Sequence, residues 1–224
     1  MDLIQRIHQV LQPLHQAIEA LPLSQAIVQG RVSRPAYCRL LEQLLSVHAT
    51  LEEGLFLSPW ARDLFRPNMA RVGALENDLA ALGGAAAEPP LPPTEQLVRT
   101  LVSWRWSASW RLLGALYVVE GSRLGSMVLV RPLSEALGVP PELGHGLDYH
   151  LEGMTNRPLA WRKFKSALAA FPWSAAQESD ITAAAAETMA GLVRIYAAIE
   201  PQGGMMLAPP LPEFDPAPAL TAAR

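Results

Sequence analysis

Cysteine is almost missing from this chain: Cys38 is the only one in 224 residues, so no disulfide framework or thiolate metal cluster can form within it. A reducing cytoplasm is the expected setting. An excess of one charge sign is missing too, with 18 Lys and Arg against 21 Asp and Glu, a net charge of −3, and no basic stripe to track phosphates. Nucleic acid is therefore not an expected partner. The opening Met1-Asp2-Leu3-Ile4-Gln5-Arg6 carries none of the basic stretch, apolar run or small-residue cleavage site of an export signal. The longest apolar stretch, Leu112 to Val130, is broken by Glu120, Arg123 and small residues, too polar and too short for a comfortable membrane span. These absences predict a soluble cytoplasmic protein with no membrane partner. Flavin and nicotinamide fingerprints, internal repeats and period-two apolar alternation are missing as well, which argues against a dinucleotide site, a repeat array and a sheet.

What the chain does have is apolar residues at helical spacing. Half of its residues are hydrophobic, ample for one core, so a single all-α domain over residues 1–200 is expected. Leu3, Ile7, Val10, Leu14 and Leu21 form one stripe, with Pro13 predicting a kink or a helix start near that point. A second helix is predicted from Arg34 to Leu55, entered through Ser33 and Pro35, and a third from Pro59 to Leu82. Gly83 to Pro93 should be an irregular connection. Helix should resume from Thr94 towards Trp110 and again from Arg111 to Leu137. A Gly- and Pro-rich loop is predicted over Gly138 to Asn156, then helices from Pro158 to Ala170 and Glu178 to Ile199. The Pro-rich tail from Pro201 to Arg224 offers little to bury, which predicts a flexible segment.

Four patterns could carry chemistry. His15 sits at the margin of the first stripe with Glu19 one turn on, a spacing that lets a carboxylate orient a metal-bound imidazole; a solvated histidine at a helix edge has the same signature. In Leu116-Tyr117-Val118-Val119-Glu120-Gly121-Ser122-Arg123-Leu124-Gly125-Ser126, two glycines four apart weaken a helix interior by about 1 kcal/mol each relative to alanine. Something must approach that backbone closely, either a neighbouring helix or a flat ligand. Trp161-Arg162-Lys163-Phe164-Lys165 sets cations beside aromatics, suited to a carboxylate or to a plain solvated face. His48 and Glu52 repeat the spacing of His15 and Glu19, so a non-haem metal oxidase on a helical scaffold can draw on all four.

Taken in order, Leu14-His15-Gln16-Ala17-Ile18-Glu19, Gln29-Gly30-Arg31-Val32-Ser33-Arg34-Pro35-Ala36-Tyr37, Leu51-Glu52-Glu53, the glycine-bearing block and Trp161-Arg162-Lys163-Phe164 resemble the haem oxygenase family of bacterial, biliverdin-producing type. The resemblance runs from about Leu3 to Ile199 and implies a single-domain helical bundle with a glycine-kinked distal helix. It implies His15 as the iron ligand oriented by Glu19, Gly121 and Gly125 as bare backbone over haem, and Arg162, with Lys165 second, as partners of the haem carboxylates. Ser122 stands where animal members carry an aspartate, Ser126 where many members have another glycine, and His8 where some relatives have a basic residue. Haem would be both cofactor and substrate, opened to biliverdin with loss of carbon monoxide and iron. Electrons would come from a separate ferredoxin or flavodoxin with its reductase, and a phytochrome-type protein is one acceptor of the product. A haem carrier or sensor without turnover would keep His15.

Overall fold

The computed structural model describes residues 1–84 and 89–202. Among them are ten α-helices and no β-strand: α1 (Leu3–Glu19), α2 (Pro22–Val28), α3 (Arg34–Leu57), α4 (Val72–Ala81), α5 (Pro92–Ser107), α6 (Leu112–Gly125), α7 (Val130–Leu137), α8 (Asp148–Leu151), α9 (Arg157–Ala170) and α10 (Ala175–Ala197). α10 is the spine, packed against α1 on one side and against α5 and α6 on another. α3 packs on α4 and α5. The fold is the all-helical bundle that the apolar spacing predicts.

α1 begins where Asp2 and Gln5 cap each other reciprocally, and it runs through Pro13 without a break because the missing N–H falls on the exposed face. Its stripe of Leu3, Ile7, Leu11 and Leu14 is buried, and Arg6 pairs with Glu178 on α10. α2 is a separate helix that the apolar spacing does not mark; Pro22 starts it and Gly30, at φ +63, turns the chain out of it. A side chain at Gly30 would also crowd the Pro132 carbonyl at 3.2 Å.

Three sequence expectations need correction. The helix predicted over Pro59–Leu82 is present only as α4. Ser58 leaves α3 in extended backbone, and Arg66, preceding Pro67, is extended as well, as a residue before proline prefers. The run Arg111–Leu137 is not one helix, since α6 gives way straight after Gly125 to a 3₁₀ turn over Ser126–Leu129 before α7. The predicted loop Gly138–Asn156 holds α8, with Leu147, Asp148, Tyr149 and His150 buried. Taken together, the consecutive α and 3₁₀ turns of Ser109–Leu137 are long and apolar enough to cross a membrane, yet most of that window is buried inside the protein.

At the chain's end, Ser33 N–H donates to the Pro201 carbonyl at 2.9 Å and Gln202 Nε2 to the Arg31 carbonyl at 3.3 Å. The rest of the predicted flexible tail, 203–224, lies outside the described residues.

Gly114 fixes how closely α6 approaches α10. A Cβ built there would overlap the Ile181 carbonyl oxygen and lie 2.8 Å from the Ala185 nitrogen, and backbone cannot give way as a side chain can. Gly73 of α4 has nothing within 4 Å of the same position. Gly114→Ala should therefore lower stability by about 1–3 kcal/mol or more in urea unfolding, while Gly73→Ala leaves it unchanged or raises it by up to about 1 kcal/mol.

Candidate functional site

A cavity of about 510 Å³ opens between α1 and α2 on one side and the C-terminal half of α6 on the other. That volume lies inside the range of small-molecule and cofactor sites. Its floor is apolar: Leu40, Leu41, Leu44 and Val47 from α3, Met189 and Leu192 from α10, and Val119 from α6. Val28 and Val128, both lining residues, are 56% and 75% exposed. Large apolar side chains left open at a cavity's edge mark it as a binding surface.

His15 and Glu19 stand on the α1 wall. The His15 ring is held below the ordinary imidazole value, chiefly by its partial removal from water and further by His8, against the opposing pull of the Glu19 charge. At neutral pH it is therefore an uncharged imidazole with a free lone pair, the form a metal ion takes up. The Glu19 carbonyl accepts from Gln25 Nε2 at 2.6 Å, which ties α1 to α2 at the cavity edge.

Gly121, Ser122, Gly125 and Ser126 form the facing wall. Among the described residues a Cβ at Gly125 would meet nothing within 4 Å, whereas one at Gly121 would touch the Trp161 ring at 3.4 Å. The two alternatives therefore divide between residues: close helix packing explains Gly114, a Cβ at Gly121 would make only an ordinary contact with α9, and Gly125 bares main chain to open space. Both serine hydroxyls donate back along the helix, Ser122 to the Val119 carbonyl at 2.9 Å and Ser126 to the Arg123 carbonyl at 3.0 Å. Each presents only lone pairs to the cavity in that arrangement.

Arg162 and Lys165 do not line the cavity. Arg162 is exposed, and Lys165 lies with Nζ 5.2 Å from the centre of the Trp161 ring. Trp161 in turn packs on Tyr117 at 4.8 Å. Among the described residues Arg123 is the one arginine or lysine on the lining, and it is 3% exposed and bound to Glu120 Oε1 at 2.8 Å.

The inner end of the cavity is where sequence reasoning found least. Tyr37, His48, Tyr149, His150 and Tyr196 all line it. Burial pushes the Tyr149 hydroxyl up to about 12 and the His150 imidazole down to about 3, the latter helped by Arg157 and Arg123. Tyr149 and His150 carry no sequence signal of a site because they sit in a Gly- and Pro-rich stretch. What holds that stretch is Asp78 of α4, whose carboxylate accepts from the Asp148 and Tyr149 amides at 2.6 and 2.9 Å. The nearest sequence signal was Asp148-Tyr149-His150-Leu151, polar and aromatic residues between two apolar leucines. His15 with Glu19 and His48 with Glu52 do not make a shared metal site: among the described residues no group of three or more His, Cys, Asp or Glu could hold an ion.

The bundle and its cleft, with an imidazole on one wall and bare glycine backbone on the other, define an all-helical protein built to hold a flat, apolar, metal-bearing ligand. The family profile described as "Heme oxygenase" matches residues 1–196. A heme oxygenase of Xanthomonas campestris pv. campestris is 34% identical over 168 residues, 73% of this chain and 90% of that protein. Among solved structures, the heme oxygenase of Leptospira interrogans superposes with a TM-score of 0.79 at 20% identity, covering 88% of this chain and 98% of that one. Heme oxygenase-1 of the cyanobacterium Synechocystis, solved in complex with heme, also gives 0.79, at 16% identity over 88% of this chain and 91% of its own. This chain belongs to the haem oxygenase family, and its class of activity is haem degradation.

Asp78 makes the Tyr149 wall sensitive to pH. It is fully buried, and desolvation outweighs its two backbone hydrogen bonds, so its carboxyl is pushed from an ordinary 3.8 up to about 7. The folded state then binds a proton that the unfolded chain has lost, and stability must fall as pH rises from about 4 to 7, by a few kcal/mol at most. The urea midpoint of the parent should decline over that window, and Asp78→Asn should flatten the decline while lowering stability at its acid end.

Proposed function

We propose that this chain opens haem to biliverdin with release of carbon monoxide and iron, using dioxygen and electrons from an external donor of ferredoxin or flavodoxin type with its reductase. The observation that carries the reading is that the uncharged His15 ring and the bare Gly125 backbone line opposite sides of one cavity. Family membership supplies the class of reaction. Haem, when bound, supplies both the iron that activates oxygen and the ring that is opened.

The work of the chain itself is placement. His15 would hold the iron through a ring nitrogen, with the Glu19 charge favouring a more basic imidazole. The α3 and α10 side chains would exclude water from the porphyrin faces. Gly121 and Gly125 would let that ring lie directly under main chain, and the hydroxyls of Ser122 and Ser126 would offer acceptors there. Arg162 and Lys165, on the neighbouring α9, are the proposed partners of the haem carboxylates. The setting is cytoplasmic, and the product is available to a phytochrome-type acceptor.

Hemin titration tests this directly. The parent should develop a Soret band and, with a reducing system, convert it to bilin absorbance. His15→Ala should weaken hemin binding by roughly ten-fold or more, about 1.4 kcal/mol, and free imidazole should restore part of it. Gly125→Leu should fold normally, since its Cβ meets open space, yet lose hemin binding or turnover. A stable Soret band without bilin would identify a carrier or sensor, and equal binding by His15→Ala would remove His15 as the ligand.

A further inference from the structure

Four large apolar side chains stand in water where α3 and α5 end. Phe56 and Leu57, in the last turn of α3, are 83% and 56% exposed, and Val102 and Trp106 of α5 are 40% and 76% exposed. Glu53 precedes Phe56 and Leu57 by three and four residues, and Val102 precedes Arg105 and Trp106 by the same steps, so each trio shares one helix face. The two faces are joined side by side. Arg105 Nη1 pairs with Glu53 Oε1 at 2.8 Å, and just beyond, Ser58 Oγ donates to Ser109 Oγ at 3.1 Å. Arg105 also lies over the Trp106 ring, 4.8 Å from its centre, which holds that ring in place. Apolar residues scattered singly on a surface are ordinary, whereas a contiguous ledge of them marks a contact surface. None of the four lines the cavity, whose α3 residues run from Tyr37 to His48.

We propose that this ledge is the surface through which two copies of the chain associate about a two-fold axis. Charge and size both select a second copy as its occupant. Beside the apolar residues stand the Glu53–Arg105 pair and, further up the same α5 stripe, the Glu95–Arg99 pair, two acids against two cations. A two-fold interface sets one patch against itself, so its rim must be self-complementary, as a balanced rim is. An acidic carrier protein or an anionic membrane would instead call for an excess of cations. As for size, the exposed parts of Phe56 and Trp106 alone amount to on the order of 300 Å², and a standard interface covers about 800 Å² on each partner. With Leu57, Val102 and the stems of the four charged side chains, the ledge supplies the apolar centre and the polar rim of such an interface. Trp106, already ordered by Arg105, is its anchor, since an aromatic fixed before contact loses little freedom on binding. Association there leaves the cavity of each copy open, and it is independent of the haem-opening reading.

Sedimentation equilibrium of the full chain tests the ledge, with amide hydrogen exchange to locate the contact. The parent should pass from the mass of one chain to that of two with a dissociation constant of about 10 µM or lower, in the haem-free and the hemin-loaded protein alike. Exchange at the last turns of α3 and α5 should slow as concentration crosses that value. Phe56→Ser and Trp106→Ser, each at an exposed position and so expected to keep the parent's helix content, should raise the constant ten-fold or more and leave hemin binding as in the parent. A parent with the mass of one chain at about 100 µM would overturn the proposal. So would a dimer that both substitutions leave intact, or one that protects amides elsewhere, since it would be built on another face. Parent chains that float with phosphatidylserine vesicles as monomers, and cease to do so in both variants, would assign the ledge to a membrane surface and overturn it too.

Discussion

Everything at the cavity depends on how α6 is seated on α10. Gly114 lets the two backbones meet so closely that even a methyl group would strike the Ile181 carbonyl. That contact sets where the far end of α6 lies, and α1 is packed on the same α10. Two walls anchored to one spine keep a separation that side-chain repacking cannot close. The cavity is the space between them, and Gly125 stands where α6 changes to a tighter turn.

The inner wall is held by hydrogen bonds to buried arginines as well as by apolar packing. Arg123 binds Glu120 and the Glu152 carbonyl, and Arg157 binds the carbonyls of Arg123, His150 and Glu152. Arg71 reaches Glu152 from the segment before α4. Buried charges are tolerated only when paired and hydrogen-bonded, so the loop carrying Tyr149 and His150 has few positions open to it. Rigid placement of polar groups around an otherwise apolar cleft is what a site for a large, flat, reactive ligand requires.

Much of this was legible in the sequence, and the pattern of successes has a physical reason. Helices announce themselves through spacing, so α3, α9 and α10 stand near their predicted bounds, and α1 follows its apolar stripe straight through Pro13, where a kink or a helix start was expected. The position of His15 at the edge of a buried stripe was visible for the same reason, and so was the pair of glycines in an apolar helix. The segment before α4 and the α8 turn were not visible, because their conformation is set by distant partners: Asp78 satisfies the Asp148 and Tyr149 amides from 70 residues away, and Glu52 receives the Arg71 amide from 19. A local pattern carries no trace of such bonds. Arg162 and Lys165 lie on α9 outside the lining of the cavity, and whether a long cation faces a cleft depends on helix rotation that composition does not encode.

The central claim is that one bundle presents the His15 imidazole and bare Gly125 main chain to the two faces of a single haem. A crystal structure of the hemin complex tests it most directly. The account predicts iron bound to a ring nitrogen of His15, with the backbone of Gly121 and Gly125 lying over the opposite face of the porphyrin. Iron on His48 or His150, or a porphyrin seated outside the cleft between α1 and α6, would contradict it.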